Sequence, residues 1–296
     1  MNVELVDFYA ADGVLNDGYL AKTGSKKVLI ATHGMTSNCF KNREKIIAKN
    51  LNENGIDFFV YNNRGSELVK YVKKRAEDGK EIKTLGGTSY EDPKEGYYDI
   101  KGAIEKMIDL GYQEIYLQGH SLGSTKTLYT YNRLKNEGYE DLDKIKAIVL
   151  LSLVNIPRAL KIFLKEKYDE TLDYAIQKEE KGLIYEMMPN GSFIHPLSVK
   201  TFLEYSKYSR EIDFARYNDK EYNFEHLNNV EIPLFMRWGN NNEMIEESAD
   251  DLVKLLNEKV NTKFKNIGYI DGADHGYSEK EENLAKEIVD FLLNIL

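Results

Sequence analysis

Only one cysteine, Cys39, occurs in the 296 residues, which excludes an intramolecular disulfide and leaves no cysteine spacing for a structural metal. Basic residues are outnumbered: 40 Lys and Arg stand against 49 Asp and Glu, a formal net charge of -9. Nothing in that balance points to nucleic acid or an anionic membrane surface as a partner. No apolar run approaches the roughly 20 residues that span a bilayer, and the longest, "AIVLLSLV", is interrupted by Ser152. The opening "MNVELVDFYAADG" has neither the basic region nor the apolar core of a secretory signal, so a cytoplasmic location is expected. There is no glycine-rich phosphate loop, dinucleotide fingerprint or metal-ligand cluster, and no internal repeat or low-complexity tract. No cofactor and no metal is therefore expected.

What the chain does contain is alternation. Short apolar runs are separated by amphipathic helical stretches, the pattern of βαβ units on a mostly parallel sheet. Eight strands are expected: "VELVDFYA", "LNDGYLAK", "KKVLIATHG", "IDFFVYNN", "EIYLQG", "AIVLLSLV", "IPLFMRW" and "TKFKNIGYI". The first two, joined through "ADGVLND", read as an antiparallel hairpin, and the others are apolar enough to be buried on both faces. In "YDIKGAIEKMIDLG", Ile100, Ile104, Met107, Ile108 and Leu110 make one apolar face and Gly111 a C-terminal cap. "VKKRAEDGKEIK" reads as solvated surface or a mobile loop, and Trp238 as core.

Between Asn155 and Val230 no strand pattern is found, only helical and tyrosine-rich sequence, too long for a crossover. The expected organisation is a core of residues 1–154 and 231–296 with a helical cap or lid inserted at 155–230. The cap's aromatics (Tyr168, Tyr174, Tyr185, Phe193, Phe202, Tyr205, Tyr208, Phe214 and Tyr217) either line a substrate pocket or bury the cap against the sheet.

Gly119-His120-Ser121-Leu122-Gly123 follows the strand "EIYLQ" and precedes a helical stretch, which is the frame of a nucleophile elbow. A serine hydroxyl needs a base. His275, in "IDGADHGYS" between the last strand and the last helix, stands where an elbow serine's partner falls. His120 sits beside the nucleophile with its ring expected to point away from the reacting face; His195 and His226 read as surface or packing residues. A tetrahedral intermediate also needs main-chain donors. Leu122, after the nucleophile, and Met35, in the strand-end loop "ATHGMTSN", are the candidates for an oxyanion hole.

With those residues in view, the chain resembles the α/β-hydrolase superfamily over nearly all its length. The resemblance is carried by "THGMTSN", "YNNRGS", "YYDIKGAIEKMIDLGYQEIYLQGHSLGSTKTLYTY", "IPLFMRWGNNNE" and "DGADHGYS". It is similar above all to a capped subgroup of esterase-like hydrolases that includes siderophore-esterase candidates. The resemblance implies an α/β-hydrolase fold, a Ser121–His275 acyl-enzyme mechanism on a carboxylic ester or thioester, and a small-molecule ester as partner. A homodimer is left open.

One position departs from the superfamily pattern. The usual aspartate position after Gly239 falls on Asn242, and the nearest carboxylate is Glu243. Three readings are open: Glu243 serves as the acid after a one-residue shift, Asn242 merely orients His275, or the acid comes from elsewhere, Asp271 being nearest. The missing aspartate also favours the rival of a decayed hydrolase scaffold that only binds; amide or peptide cleavage is the alternative among enzymes.

Overall fold

The computed structural model describes residues 1–76 and 78–295. The chain opens with an antiparallel hairpin, β1 (Asn2–Tyr9) and β2 (Leu15–Lys22), whose turn places Gly13 at φ +90°. Then come β3 (Lys27–Thr32), α1 (Asn42–Glu53) and β4 (Asp57–Asn62). A small separate hairpin follows, β5 (Lys70–Arg75) with β6 (Glu81–Gly86). This is where the charge-rich "VKKRAEDGKEIK" falls; it is exposed, as expected, but mostly paired as strand, with Glu77 outside the described residues. Alternating charges on both faces hid the strands, because no apolar period marks them.

The chain continues through α2 (Gly96–Asp109), β7 (Glu114–His120), α3 (Leu122–Asn136) and β8 (Ile145–Leu151). Helices α4 (Ile156–Leu164), α5 (Tyr168–Glu180), α6 (Val199–Tyr205) and α7 (Glu225–Asn228) follow without an intervening strand among the described residues. The chain ends with β9 (Leu234–Gly239), α8 (Ala249–Lys259), β10 (Lys265–Ile270) and α9 (Glu281–Asn294). No helix is long and apolar enough to cross a membrane among the described residues.

All eight strands read from the sequence join one sheet in the order β1-β2-β4-β3-β7-β8-β9-β10. Only β1–β2 and β2–β4 are antiparallel. Strand period two sends alternate residues into two apolar layers. Val28, Ile30, Ile115, Leu117, Ile148 and Leu150 pack under α2 and α3, while Leu29, Ala31, Tyr116, Val149 and Leu151 face α1 and α9. Each fully buried Val, Leu or Ile among these contributes about 1.5–3 kcal/mol, so this double burial fixes strand register. In α2, Ile100, Ile104 and Met107 are buried, Ile108 is half-buried and Leu110 is exposed; Gly111 ends the helix at φ +89°. Trp238 is fully buried and donates its indole N–H to the Leu153 oxygen.

The segment 155–230 divides by packing. Ile156, Leu160, Leu164, Phe193, Phe202 and Tyr205 form a cluster of their own with Leu122 of the elbow helix. Phe214, Tyr217, Phe224 and Val230 instead join the main core beside Trp238. Packing within the segment thus changes between Tyr205, the last residue of the separate cluster, and Phe214, the next to join the main core. Of the nine aromatics named from the sequence, Phe193 and Tyr217 line one cavity and Tyr185 another; Phe202, Tyr205 and Phe214 are buried in packing, Tyr168 and Tyr174 are half-buried, and Tyr208 is exposed.

Candidate active site

Parallel strands β3, β7, β8, β9 and β10 end on one edge of the sheet, where ligand sites of open α/β sheets form. Ser121 stands there between β7 and α3 with φ 56° and ψ −126°, a conformation a non-glycine residue holds only under strain. Its N–H donates to the Leu151 oxygen over 2.8 Å, and Ser124 N–H returns to the Ser121 oxygen over 2.9 Å. The flanking glycines are steric requirements. A Cβ on Gly119 would lie 2.3 Å from the Gly123 oxygen, and one on Gly123 would lie 2.2 Å from the Thr32 oxygen. The turn can hold this tightly only with hydrogen at both positions.

The loop after β3 comes equally close. A Cβ on Gly34 would lie 2.9 Å from Ser121 Cβ. This loop is held from below by a buried polar chain. The Nε2 of His33 accepts from the Asn63 N–H over 3.3 Å, which leaves the ring proton on Nδ1 to donate to the Gly34 oxygen over 2.9 Å. Burial is the main force lowering the His33 pKa to about 3, with Lys126, Lys70 and Arg43 nearby adding to it. Asn63 Nδ2 donates to the His33 oxygen, and Lys126 Nζ bridges Asn63 Oδ1 at 3.5 Å and Glu91 Oε2 at 2.5 Å. Tyr205 of α6 donates to the other Glu91 oxygen over 3.3 Å. Among the described residues, no loop or cap bond takes up the N–H of Met35 or of Leu122.

His275 lies between β10 and α9 and lines a cavity of about 370 Å³ together with Ser121, Gly34 and Met35. Its Nδ1–H donates to Glu243 Oε1. The carboxylate side chain of Glu243 is only 3% exposed. Its Oε2 also accepts from the Gly239 N–H at 3.0 Å and from Ser152 Oγ at 2.8 Å, while Oε1 accepts from the Met244 N–H at 3.0 Å. Burial pushes the Glu243 pKa up, but His275 and the two main-chain donors outweigh it and hold the group below its ordinary value. Asn242 is exposed at φ +52°, so it supplies the left-handed turn that carries Glu243 inward. Asp271 accepts from Asn240 Nδ2 at 2.8 Å on the surface. Of the three open readings, the hydrogen bond to the imidazole belongs to Glu243.

Two contacts were missed from the sequence. Ser152, at φ +47°, also reaches the hydroxyl of Tyr277 at 3.0 Å, which in turn donates to the Arg237 oxygen at 2.7 Å. The signal was present: a lone hydroxyl at the end of the apolar run "IVLLSLV" needs a partner when buried. The second is His120, whose ring does not turn away. Its Nε2–H donates to the His275 oxygen at 2.8 Å, and it lines the same cavity. Adjacency in the motif concealed this, because the His275 loop folds back over the strand end. His226 packs on Phe214 with ring centroids 4.3 Å apart, and His195 is half-buried in a bend between α5 and α6 and does not line the Ser121 cavity.

A second cavity, of about 300 Å³, is lined by Phe163, Phe193, Tyr217, Met244 and Ile245, with Glu243 at its wall. It is mostly apolar, whereas the Ser121 cavity is edged by hydroxyls and charged groups.

An eight-stranded, mostly parallel sheet covered on both faces by helices, with a serine elbow after a central strand, defines an α/β-hydrolase fold. The sequence profile of the family described as lecithin:cholesterol acyltransferase matches residues 88–294. The chain belongs to that family. No curated protein matches the sequence. Among solved structures, the chain is similar to Est1E from Butyrivibrio proteoclasticus with ferulic acid bound, at 18% identity and TM-score 0.66, covering 97% of this chain and 98% of that one. It is also similar to DcsB in complex with its substrate analogue, at 16% identity and TM-score 0.70 over 100% of both chains. A soluble variant of monoglyceride lipase from Saccharomyces cerevisiae, with a substrate analogue, shares 12% identity at TM-score 0.64, covering 100% of this chain and 96% of that chain. These likenesses concern the fold, and none of them singles out the siderophore-esterase subgroup.

Proposed function

We propose that the protein is a serine hydrolase that cleaves a carboxylic ester or thioester through an acyl-enzyme on Ser121. The observation that carries this reading is that strained Ser121 and His275 share one cavity, with the far side of the imidazole bonded to buried Glu243.

In this mechanism Ser121 Oγ attacks the acyl carbon while His275 Nε2 takes its proton. The N–H groups of Met35 and Leu122 hold the oxygen that becomes negative. Collapse breaks the bond to the alcohol, which leaves with the proton from His275. Water then attacks the acyl-enzyme, giving one proton to His275, and the carboxylic acid departs as Ser121 recovers that proton from the imidazole. Glu243 keeps Nδ1 protonated and offsets the imidazolium charge at each stage. The family's name speaks of acyl transfer. That reaction shares the acyl-enzyme and differs only in having an alcohol take the place of water.

The helical segment of 155–230 acts as a lid in this reading, because an apolar cluster formed by its first half rests on Leu122 beside the nucleophile. A decayed binding scaffold is disfavoured by the hydrogen bond from His275 to Glu243, which supplies the acid that the usual position lacks. The test is labelling by a fluorophosphonate probe and turnover of a p-nitrophenyl ester. Both are expected to vanish in Ser121→Ala, and unchanged turnover in that variant overturns the reading.

A further inference from the structure

Thr88, in the turn after β6, is fully buried and has no part in the mechanism above. Its hydroxyl is bonded in both directions: it donates to the Gly65 oxygen over 2.9 Å and accepts from the Thr36 N–H over 2.7 Å. A carbonyl can only accept and an amide N–H can only donate, so the hydroxyl has one orientation. Thr36 follows Met35 in the loop that lines the Ser121 cavity. The Ser37 N–H donates back to the Gly34 oxygen over 3.3 Å, which closes a four-residue turn with Met35 and Thr36 at its centre. Thr36 stands at φ +55°, a left-handed conformation that a β-branched residue adopts only when its surroundings impose it.

The Thr88 hydroxyl is what imposes it. A turn with both central residues right-handed is reached by turning the Met35–Thr36 peptide over, and that peptide carries the N–H that Thr88 holds. The peptide before it, between Gly34 and Met35, is gripped at its oxygen by His33 Nδ1 and the Ser37 N–H. A trans peptide points its N–H opposite to its oxygen, so these bonds leave the Met35 N–H facing away from them. Thr88 is itself braced. Its N–H donates to the Glu67 oxygen over 2.9 Å, and the Glu67 N–H reaches the Ser37 oxygen over 3.3 Å. On its other side, the Ser89 oxygen accepts from the Ser198 N–H at 2.8 Å and from Thr201 Oγ1 at 3.0 Å, where α6 begins.

We infer that Thr88 is a positioning residue for oxyanion stabilisation: by holding the Thr36 N–H it keeps the left-handed turn that aims the Met35 amide at the oxygen of an acyl group on Ser121. The inference rests on the serine-esterase reading and adds to it a residue that touches no substrate. Thr88 is not among the walls of the Ser121 cavity, and it acts through a single N–H. Without its hydroxyl the peptide is free to turn over, and the neighbouring amide then meets the developing charge out of line.

Thr88→Val keeps the side chain's shape and removes both bonds, whereas Thr88→Ser keeps the hydroxyl. Two readouts test them: turnover of p-nitrophenyl acetate per site titrated to completion with a fluorophosphonate, and inhibition by trifluoroacetophenone. The ketone reports on the oxyanion, because Ser121 Oγ adds to its carbonyl carbon, the proton passes to His275 and the carbonyl oxygen becomes negative. In Thr88→Val, kcat is expected to fall about 10–100-fold with KM within about twofold, and the ketone to bind more weakly by a similar factor. Thr88→Ser should recover most of both losses. Should a thermal melt show Thr88→Val unfolded, Thr88→Cys, with a weak sulfur acceptor of similar size, replaces it in the comparison with Thr88→Ser. A wild-type kcat in the hydroxyl-free variant, a fall in kcat without weaker ketone binding, or a serine variant equally impaired overturns the inference while leaving the esterase intact. Wild-type protein that neither turns over the ester nor takes up the ketone overturns the esterase reading, and the inference falls with it.

Discussion

His120 donates its Nε2–H to the main-chain oxygen of His275 over 2.8 Å, and the two imidazole rings lie 5.1 Å apart. One histidine thus holds the loop that carries the other. Burial, with Arg43 and His275 adding to it, keeps the His120 pKa well below its ordinary value, so the donor ring is neutral. In His120→Ala the loop loses this tether, and kcat on a p-nitrophenyl ester is expected to fall about 10–100-fold with KM nearly unchanged. His120→Gln, which keeps a donor, should recover part of the loss. A wild-type kcat in His120→Ala, with the melt also unchanged, contradicts the tether.

Glu243 and Asn242 make opposite predictions. Glu243→Gln removes the charge opposite His275 and is expected to lower kcat by on the order of 10²–10⁴, as amide replacement of a triad acid does. Asn242→Asp, on the exposed turn, should leave kcat within about twofold. Steady-state rates on one ester, with thermal melts as a folding control, separate the two residues; a near-silent Glu243→Gln would mean that another group orients the histidine.

Acid should destabilise the fold through His33. Its folded pKa of about 3 lies below the ordinary value of 6.5. Between those values the unfolded chain binds the proton that the folded chain refuses. The stability due to neutral His33 is therefore complete above pH 6.5 and drains away as pH falls toward 3, at up to about 1.4 kcal/mol per pH unit. Urea denaturation at pH 6.5, 5.5 and 4.5 should give a shallower slope for His33→Asn than for wild type. Parallel slopes would exclude His33 as the group responsible.

Lys126 and Glu91 are each about 1% exposed and lie 2.5 Å apart. Lys126→Met alone strands a buried carboxylate and is expected to cost about 3–5 kcal/mol. Adding Glu91→Leu should restore much of that loss, since both charges are then gone, although Tyr205 loses its acceptor. Chemical denaturation of the two singles and the double variant measures the coupling; additive losses would deny it.

The elbow stores strain that can be released. At φ 56° and ψ −126°, Ser121→Gly should be more stable than Ser121→Ala by about 1 kcal/mol, after allowing for the greater freedom of glycine in the unfolded chain. Both variants lose the nucleophile. Paired denaturation curves decide it, and an alanine variant at least as stable as the glycine variant would show an unstrained turn.

Much of this architecture was legible because it is written in period. The runs at Val28–Ala31 and Ile148–Leu151 alternate between two buried layers, and only a strand covered on both faces is apolar throughout. The glycines at 119 and 123 announced the elbow because steric exclusion leaves no other residue. That Ser152 needs a partner was legible, but the partners that it and His120 find were not, since both contacts span long sequence separations and depend on how two loops fold together. Nor was the change of packing partner between Tyr205 and Phe214: the aromatics on either side of it are alike, and only packing shows which layer claims each. Glu243 was readable as the nearest carboxylate, but its inward turn depends on the left-handed backbone at Asn242, which asparagine tolerates without declaring.

The apolar cluster of the helical segment contains Leu122 and has Met35 packed against it. These are the two residues whose amides the mechanism asks to receive the developing negative charge. If that segment is the lid proposed above, both amides are tied to it through their own side chains, and an ester that holds the lid open is then penalised in kcat as well as in KM.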